Sequence, residues 1–405
     1  MAIVPDHIRR SWSRETVYRI HVFAILLAAL LLQGCGTPPT RGEPLPEELS
    51  ARATVPGIPG ARRWGDERPA GFDAWLTLPQ AELQARYGGV MHRPHSYLAI
   101  SGGGSDGAFG AGLLNGWTEH GTRPEFQIVT GISTGALMAP FAFLGPEYDP
   151  VLRVMYTHYA TRDLIATRSV LDIVRGDAAV DTGPLRRLIA AYISDEVIQA
   201  IAAEGRKGRS LLVGTTNLDA GRPVIWDITR IAASTAPGAR DLIHDVILAS
   251  ASIPGAFPPV LIEVEADGRR YDEMHVDGGV TGQLFFGAKG IDWDRVVERL
   301  GVEGRPDLYL IRNSRFTERW DSVKPRLIPV VMRTVSSLIS AQAIGDMAKF
   351  YILAKEYDIG FHLAFVPEDF DVEASEPFDP AYMKALFELG YRLAREGIPW
   401  NTVND

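Results

Sequence analysis

Cysteine is almost missing: the 405-residue chain has one, Cys35. That count excludes a disulfide framework and a cysteine-based metal site. Dense runs of lysine and arginine are missing too, and the formal net charge is -9. A nucleic-acid binder, which needs a basic patch, is therefore not indicated. No internal repeat or low-complexity segment breaks the chain. What remains is globular composition, 46% hydrophobic and 22% charged with 40 Gly and 27 Pro, so disordered, collagen-like and coiled-coil readings fall away. The length fits two or three domains, or one large α/β domain with tails.

The first 34 residues read as a leader. Arg9, Arg10, Arg14 and Arg19 make a basic start, and residues 22–32 are an unbroken apolar run. A spanning helix needs roughly 20 apolar residues, so this run suits a secretory signal rather than an anchor. Leu32-Gln33-Gly34-Cys35 follows and resembles the bacterial lipobox, although Gln33 replaces its usual small residue. Cys35 is then the expected lipidation site and mature N-terminus. Cleavage removes four basic and two acidic side chains, leaving 37 basic against 48 acidic, a net of -11. Anchoring must then come from acyl chains rather than from attraction to anionic lipid. The expected location is the bacterial envelope, and the outer membrane in a two-membrane cell, because Gly36 rather than Asp follows the cysteine. Residues 36–60 hold six prolines without apolar periodicity and read as a semi-rigid tether. Residues 61–95 read as a lead-in of short helices.

Beyond residue 96 the pattern alternates. Strands are expected at 97–100, 126–130, 210–216, 223–227, 260–265, 271–276, 308–312 and 359–366. Helices are expected at 108–120, 135–144, 184–193, 196–204, 240–249, 327–357 and 380–395, the last with Asp379 as cap, Pro380 in its first turn and Gly397 as stop. Such alternation implies an α/β fold of three layers, helices covering both faces of a mostly parallel sheet.

Three motifs carry chemistry. Ser101-Gly102-Gly103-Gly104-Ser105-Asp106-Gly107 contains G-x-G-x-x-G between a strand and a helix. It suits a dinucleotide site, an oxyanion hole of bare amides, or a ligand-free turn. A dinucleotide site expects an acid at the end of the second strand. That strand runs instead into Gly131-Ile132-Ser133-Thr134-Gly135, which disfavours NAD. This second motif is G-x-S-x-G at a strand-to-helix junction, the setting of a nucleophile elbow. Gly131 and Gly135 relieve crowding around the turn, and the helix that follows points its positive end at the site.

A serine hydroxyl needs a base. His158, His244, His275 and His362 all lie in helical or strand patterns rather than in a loop after a strand, and each reads as a packed or surface residue. The third motif offers a carboxylate instead: His275-Val276-Asp277-Gly278-Gly279 places Asp277 at a strand end with two glycines permitting close approach. An ordinary Asp-Gly turn is the plain alternative.

The order of glycine-rich loop, G-x-S-x-G and Asp-Gly-Gly resembles the patatin-like phospholipases, Ser–Asp dyad lipid acyl hydrolases. The block Leu248-Ala249-Ser250-Ala251-Ser252-Ile253-Pro254-Gly255-Ala256-Phe257-Pro258-Pro259 is similar to the family's segment before the Asp strand. The resemblance covers about 97–280 within a domain expected over 96–405. It implies Ser133 as nucleophile, Asp277 as base, Gly102, Gly103 and Gly104 in the oxyanion loop, and Gly107, Gly131, Gly135, Gly278 and Gly279 as motif glycines. Asp106 stands where the family usually has Arg or Lys, and its side chain is expected to point away. The implied substrate is a phospholipid or lysophospholipid, with no metal and no cofactor. A broader esterase or acyltransferase on the same dyad, and a non-catalytic envelope lipoprotein, are the other readings. Oligomeric state is not legible. In helix 327–357 the stripe Leu327, Ile328, Val331, Met332, Val335, Leu338 and Ile339 predicts core packing first, and an acyl-chain groove beside Asp277 second.

Overall fold

The computed structural model describes residues 41–167, 180–287, 289–317, 320, 322–398 and 400–401. The leader and Cys35 lie outside these residues. The strands are β1 (Arg62–Trp64), β2 (Ser96–Ile100), β3 (Ile128–Gly131), β4 (Ala166–Thr167), β5 (Val180–Asp181), β6 (Ser210–Asn217), β7 (Arg222–Asp227), β8 (Val260–Ala266), β9 (Arg269–Asp277), β10 (Asp307–Arg312) and β11 (Gly360–Phe365). Among the described residues nine of them form one sheet in the order β1-β7-β6-β3-β2-β10-β11, with β9 paired to β6 and β8 to β9; β4 and β5 pair separately. The five central strands, β6 to β11 in that order, run parallel. The antiparallel strands sit at the β6 end.

Thirteen α-helices are described: α1 (Phe72–Leu76), α2 (Gln80–Tyr87), α3 (Gly107–His120), α4 (Thr134–Leu144), α5 (Asp149–Thr157), α6 (Thr161–Leu164), α7 (Gly183–Tyr192), α8 (Asp195–Arg206), α9 (Ile228–Ala232), α10 (Ala239–Ser250), α11 (Trp293–Leu300), α12 (Leu327–Glu356) and α13 (Pro380–Arg395). Side chains alternate along β2, so its two faces feed two cores. Leu98 and Ile100 join the larger core with α3, α4, α10 and α13. Tyr97 and Ala99 join a smaller one with Trp293 of α11 and with Met347, Phe350 and Ala354 of α12. This is the three-layer α/β/α sandwich read from the sequence. α3 and α13 cross at backbone contact: a Cβ on Gly112 would lie 2.0 Å from the Phe387 carbonyl oxygen, and one on Gly116 2.1 Å from that of Tyr391.

Three expectations shift. The tether read over 36–60 is not free from Arg41 onward. Leu45, Leu49 and Ala53 pack on Val264, Ala266 and Tyr271 of the β8–β9 hairpin, and Val55 and Ile58 are buried. Apolar side chains scattered between the prolines cover a hairpin face that would otherwise be bare. The lead-in 61–95 contributes an edge strand, β1, as well as helices. The stripe on α12 does not seat as a core face: Val331 and Leu338 are exposed, and the side chains of Leu327, Ile328 and Met332 lie outside the described residues. The buried positions come later, at Ala343, Met347, Phe350 and Ala354.

Candidate active site

One edge of β6 gathers the site. β3 pairs with it as far as Gly131 opposite Val213. β9 takes over the same edge from Asp277 opposite Thr215. The end of β3 and the end of β9 therefore meet, with only Gly214 between them on β6. Ser133 follows one of these ends and Asp277 closes the other.

Ser133 stands at the start of α4 with φ 56° and ψ -123°. A non-glycine residue rarely holds positive φ, and such strain persists only where the surroundings impose it. Here they do. A Cβ on Gly131 would lie 2.4 Å from the Gly135 carbonyl oxygen, and one on Gly135 2.4 Å from that of Ile100. The Ser133 N–H donates to Ser250 Oγ at 3.0 Å, and that hydroxyl donates to the Gly214 carbonyl at 2.6 Å. Ser250 thus pins the elbow to β6.

Asp277 is buried and accepts from the Gly279 N–H at 2.7 Å. The Ser133 hydroxyl lies near enough to the carboxylate to pull its pKa down. Burial pushes its pKa up to about 6, against the smaller downward pull of the Ser133 and Gly279 hydrogen bonds. The two glycines after it are required by space: a Cβ on Gly278 would lie 2.5 Å from the Gly214 carbonyl oxygen, and one on Gly279 2.2 Å from Gln283 Nε2.

Beneath Asp277 a buried polar chain ties β9 to β6, β7 and β1. Trp226 Nε1–H donates to Thr215 Oγ1 at 2.8 Å. Glu273 accepts from His275 Nε2–H at 3.2 Å, which leaves Nδ1 to accept the Thr215 hydroxyl at 2.9 Å. Arg62 Nη2 closes the chain on Glu273 at 2.9 Å. Burial lowers the pKa of His275, so the ring is neutral, as this tautomer requires. The other histidines are engaged elsewhere: His244 with the Ile193 carbonyl, His362 with Asp307, His158 with Thr157.

The glycine-rich loop passes beside Ser133. A Cβ on Gly102 would lie 3.1 Å from Ser133 Cβ and 2.8 Å from Gln283 Oε1. Gly103 and Gly104 have φ of 152° and 57°. Among the described residues no acceptor meets the Gly102 and Gly103 amides. Asn313, just past β10, fastens this loop. Its N–H donates to Ser101 Oγ at 2.8 Å, its Nδ2 to the Ser101 carbonyl at 3.0 Å, and its Oδ1 accepts from the Gly110 N–H at 3.1 Å. Asp106 accepts from the Tyr382 hydroxyl of α13 at 2.6 Å. Gly107 faces Thr134, whose Oγ1 would be 2.3 Å from an added Cβ.

Asn313, Ser250 and Gln283 have no place in the sequence reading as site residues. Ser250 lies in the block Leu248–Pro259, which by itself gives it no role; Asn313 and Gln283 carry no local signal. Gln283 is placed by Asp346 of α12, whose Oδ2 accepts the Gln283 N–H at 2.8 Å.

Ser133 opens into an apolar cavity. Its walls come from α4, α5, α7, α10 and α13, with Leu137, Tyr156, Leu185, Ile189, Phe257 and Met383 among them. Among the described residues α12 contributes none of these walls, although its stripe is the one that offers an acyl-chain groove as its second reading. Among the described residues no cluster of three His, Cys, Asp or Glu is placed to hold a metal ion.

Residues 98–286 match the model of the patatin-like phospholipase family, and this matched domain supports an acyl hydrolase. Among solved structures the chain is similar to VipD from Legionella pneumophila, at 12% identity and a TM-score of 0.37, over 75% of this chain and 66% of that one. The match thus spans just under two thirds of VipD. No curated protein matches the chain.

Proposed function

We propose that the protein hydrolyses acyl esters of lipids with Ser133 as nucleophile and Asp277 as base. The observation that carries this is the convergence of the Ser133 elbow and the buried Asp277 at one edge of β6, with Ser133 opening into an apolar cavity. Asp277 takes the hydroxyl proton while Ser133 Oγ attacks the ester carbonyl. The Gly102 and Gly103 amides, with Gly104 completing the loop, receive the negative charge on the carbonyl oxygen. The alcohol leaves with a proton from Asp277. Water, deprotonated by the same carboxylate, then releases the fatty acid. A neutral, fully engaged His275 leaves Asp277 as the one titrating partner of the serine.

The cavity argues for a long acyl chain. Its walls are aliphatic and aromatic, which suits a hydrocarbon chain rather than a polar group. Long-chain phospholipid or lysophospholipid is the proposed substrate. Lipidation at Cys35 and an envelope location, the outer membrane where there are two, belong to the same proposal. They rest on the leader and on Leu32-Gln33-Gly34-Cys35. With the chain packed from Arg41, residues 36–40 could span at most about 15 Å at roughly 3.1 Å per residue, which would hold the domain close to the bilayer.

Labelling by a fluorophosphonate tests the nucleophile, followed by a panel of lipid classes and chain lengths. Labelling lost in Ser133→Ala, with long-chain esters cut faster than short soluble ones, is the expected result. An unlabelled wild-type protein would end this reading.

A further inference from the structure

Exposed large hydrophobic side chains are concentrated in one stretch. Of the eleven among the described residues, eight lie between 316 and 352. On α12, Val330, Val331, Leu338, Ile344 and Ile352 are between 42% and 65% exposed, and Trp320 just before it is 96% exposed. At 100° per residue the five helix positions fall within a single arc of about 140°. Thr334, Ser337, Ala341, Gly345 and Ala348 share that arc and are exposed too. The helix's buried side is the opposite one, where Met347 and Phe350 enter the smaller core. α12 is 30 residues long, about 45 Å, yet no described helix is long and apolar enough to cross a membrane.

Charge on this stretch is opposite to that of the chain. Residues 320–356, from Trp320 to the end of α12, carry five basic side chains, Lys324, Arg326, Arg333, Lys349 and Lys355, and three acidic, Asp321, Asp346 and Glu356. Asp346 is buried against the loop after Asp277. The stretch is therefore +2 in a protein of -9. An apolar helix face with lysines along it and a tryptophan at its entry is the composition of a helix that lies in a lipid–water interface. A second copy of this chain, acidic overall, would gain less from those cations than an anionic bilayer does.

We propose that the outer face of α12, with Trp320, docks on the surface of a bilayer containing anionic phospholipid. The helix lies along the headgroups, its apolar arc among the upper acyl carbons and its lysines at the phosphates. Because Gln342 and Asp346 on its inner side hold Thr281 and Gln283, the docked helix also sits directly against the loop that carries Asp277. The inference takes its purpose from the lipid-ester reading, but the surface can be tested without turnover.

The chain's single cysteine makes the test local. In full-length protein bearing Cys35→Ala, Leu338→Cys is labelled with an environment-sensitive fluorophore, with Ile344→Cys as a second position and Glu82→Cys as an exposed control elsewhere. Vesicles of phosphatidylcholine with phosphatidylglycerol should shift the emission of the α12 probes to the blue and leave the Glu82 probe unchanged. A Lys349→Glu/Lys355→Glu change should weaken vesicle binding about tenfold, as should omission of phosphatidylglycerol. Unchanged α12 probes on vesicles would overturn the proposal. So would a blue shift that follows protein concentration without lipid, which means a second copy covers the face. Fluorophosphonate labelling of the same samples separates the two readings: labelled protein with silent probes defeats the docking surface alone, and shifted probes on unlabelled protein defeat the catalytic reading alone.

Discussion

From β2 to the turn after β9, glycines mark the points where backbone meets backbone around Ser133 and Asp277. From α11 to α13, the residues that hold the same site are polar side chains reaching back from a distance. In the first region a missing Cβ is the requirement, so the constraint is written locally: Gly131, Gly135 and Gly278 each leave 2.4–2.5 Å between a Cβ and a carbonyl oxygen. In the second, Asn313 bonds Ser101 across 212 residues and Asp346 bonds Gln283 across 63. No spacing rule announces such pairs. The difference is that close approach selects a residue type by exclusion, whereas a long-range hydrogen bond can be made from many sequence positions.

The sharpest test of the first region is its chemistry. Ser133→Ala and Asp277→Asn should each lower ester hydrolysis about a thousandfold or more, and the double variant should be little worse than either, because the two act as one unit. His362→Ala should retain hydrolysis, since its ring is bonded to Asp307. Initial rates on one long-chain ester decide this; full activity in Asp277→Asn would move the base elsewhere.

The pH profile follows from the same carboxylate. As the proposed base, Asp277 would work ionised, and its pKa is raised to about 6. The rate kcat/KM should therefore fall on the acid side with an apparent pKa near 6 and stay flat from there to mildly alkaline pH. A limb near 4 would mean the carboxylate is not desolvated in solution.

The second region should answer differently. Asn313→Ala removes the two side-chain hydrogen bonds and leaves the Ser101 carbonyl and the Gly110 N–H buried and unpaired, at a cost of about 2–4 kcal/mol. The expected outcome is a lower melting temperature together with a fall in kcat of about ten- to a hundredfold, since the glycine-rich loop proposed to receive the oxyanion loses its fastening. Asn313→Asp keeps acceptor capacity but loses the Nδ2 donor, and should recover only part of the stability. A variant with lost stability but unchanged kcat in the folded fraction would show that Asn313 supports the fold and not the loop.

How much was legible follows the same division. The strands and helices from 96 to 300 were readable because β2 and β6 are short apolar runs ending in glycine or polar turns, and the helices between them are periodic. The elbow and the Asp-Gly-Gly turn were readable from residue type and order. α5 and α11 were not, because Pro150 in one and a charge-dense surface in the other hide the apolar face; α6, α9, β4 and β5, of two to five residues each, are too short to show a period. Nor was the packing of residues 41–60, where prolines signal a spacer while Leu45, Leu49 and Ile58 quietly supply a contact surface. α12 misled because it is apolar on two sides, and periodicity cannot say which side meets the core. The polar chain from Trp226 to Arg62 was equally invisible, as its members come from four strands.

The smallest expected effect concerns stability and separates the site's chemistry from its packing. Desolvation that raises Asp277 from 3.8 to about 6 corresponds to about 3 kcal/mol, as an upper bound, carried by the folded state when the carboxylate is ionised. The folded state binds the proton more tightly than the unfolded one, so stability falls as pH rises from about 4 to about 6 and the penalty is complete above that. Asp277→Asn removes the charge and keeps an acceptor for the Gly279 N–H. It should therefore be more stable than the wild type by about 1–2 kcal/mol at neutral pH, less than the bound because the amide is the weaker acceptor. Melting temperatures of the two proteins measured from pH 4 to pH 8 should differ most above pH 6 and converge as pH falls towards 4. An Asn variant less stable than the wild type at every pH would mean that the carboxylate is held by more than these two hydrogen bonds, and that the site is built for packing as much as for proton transfer.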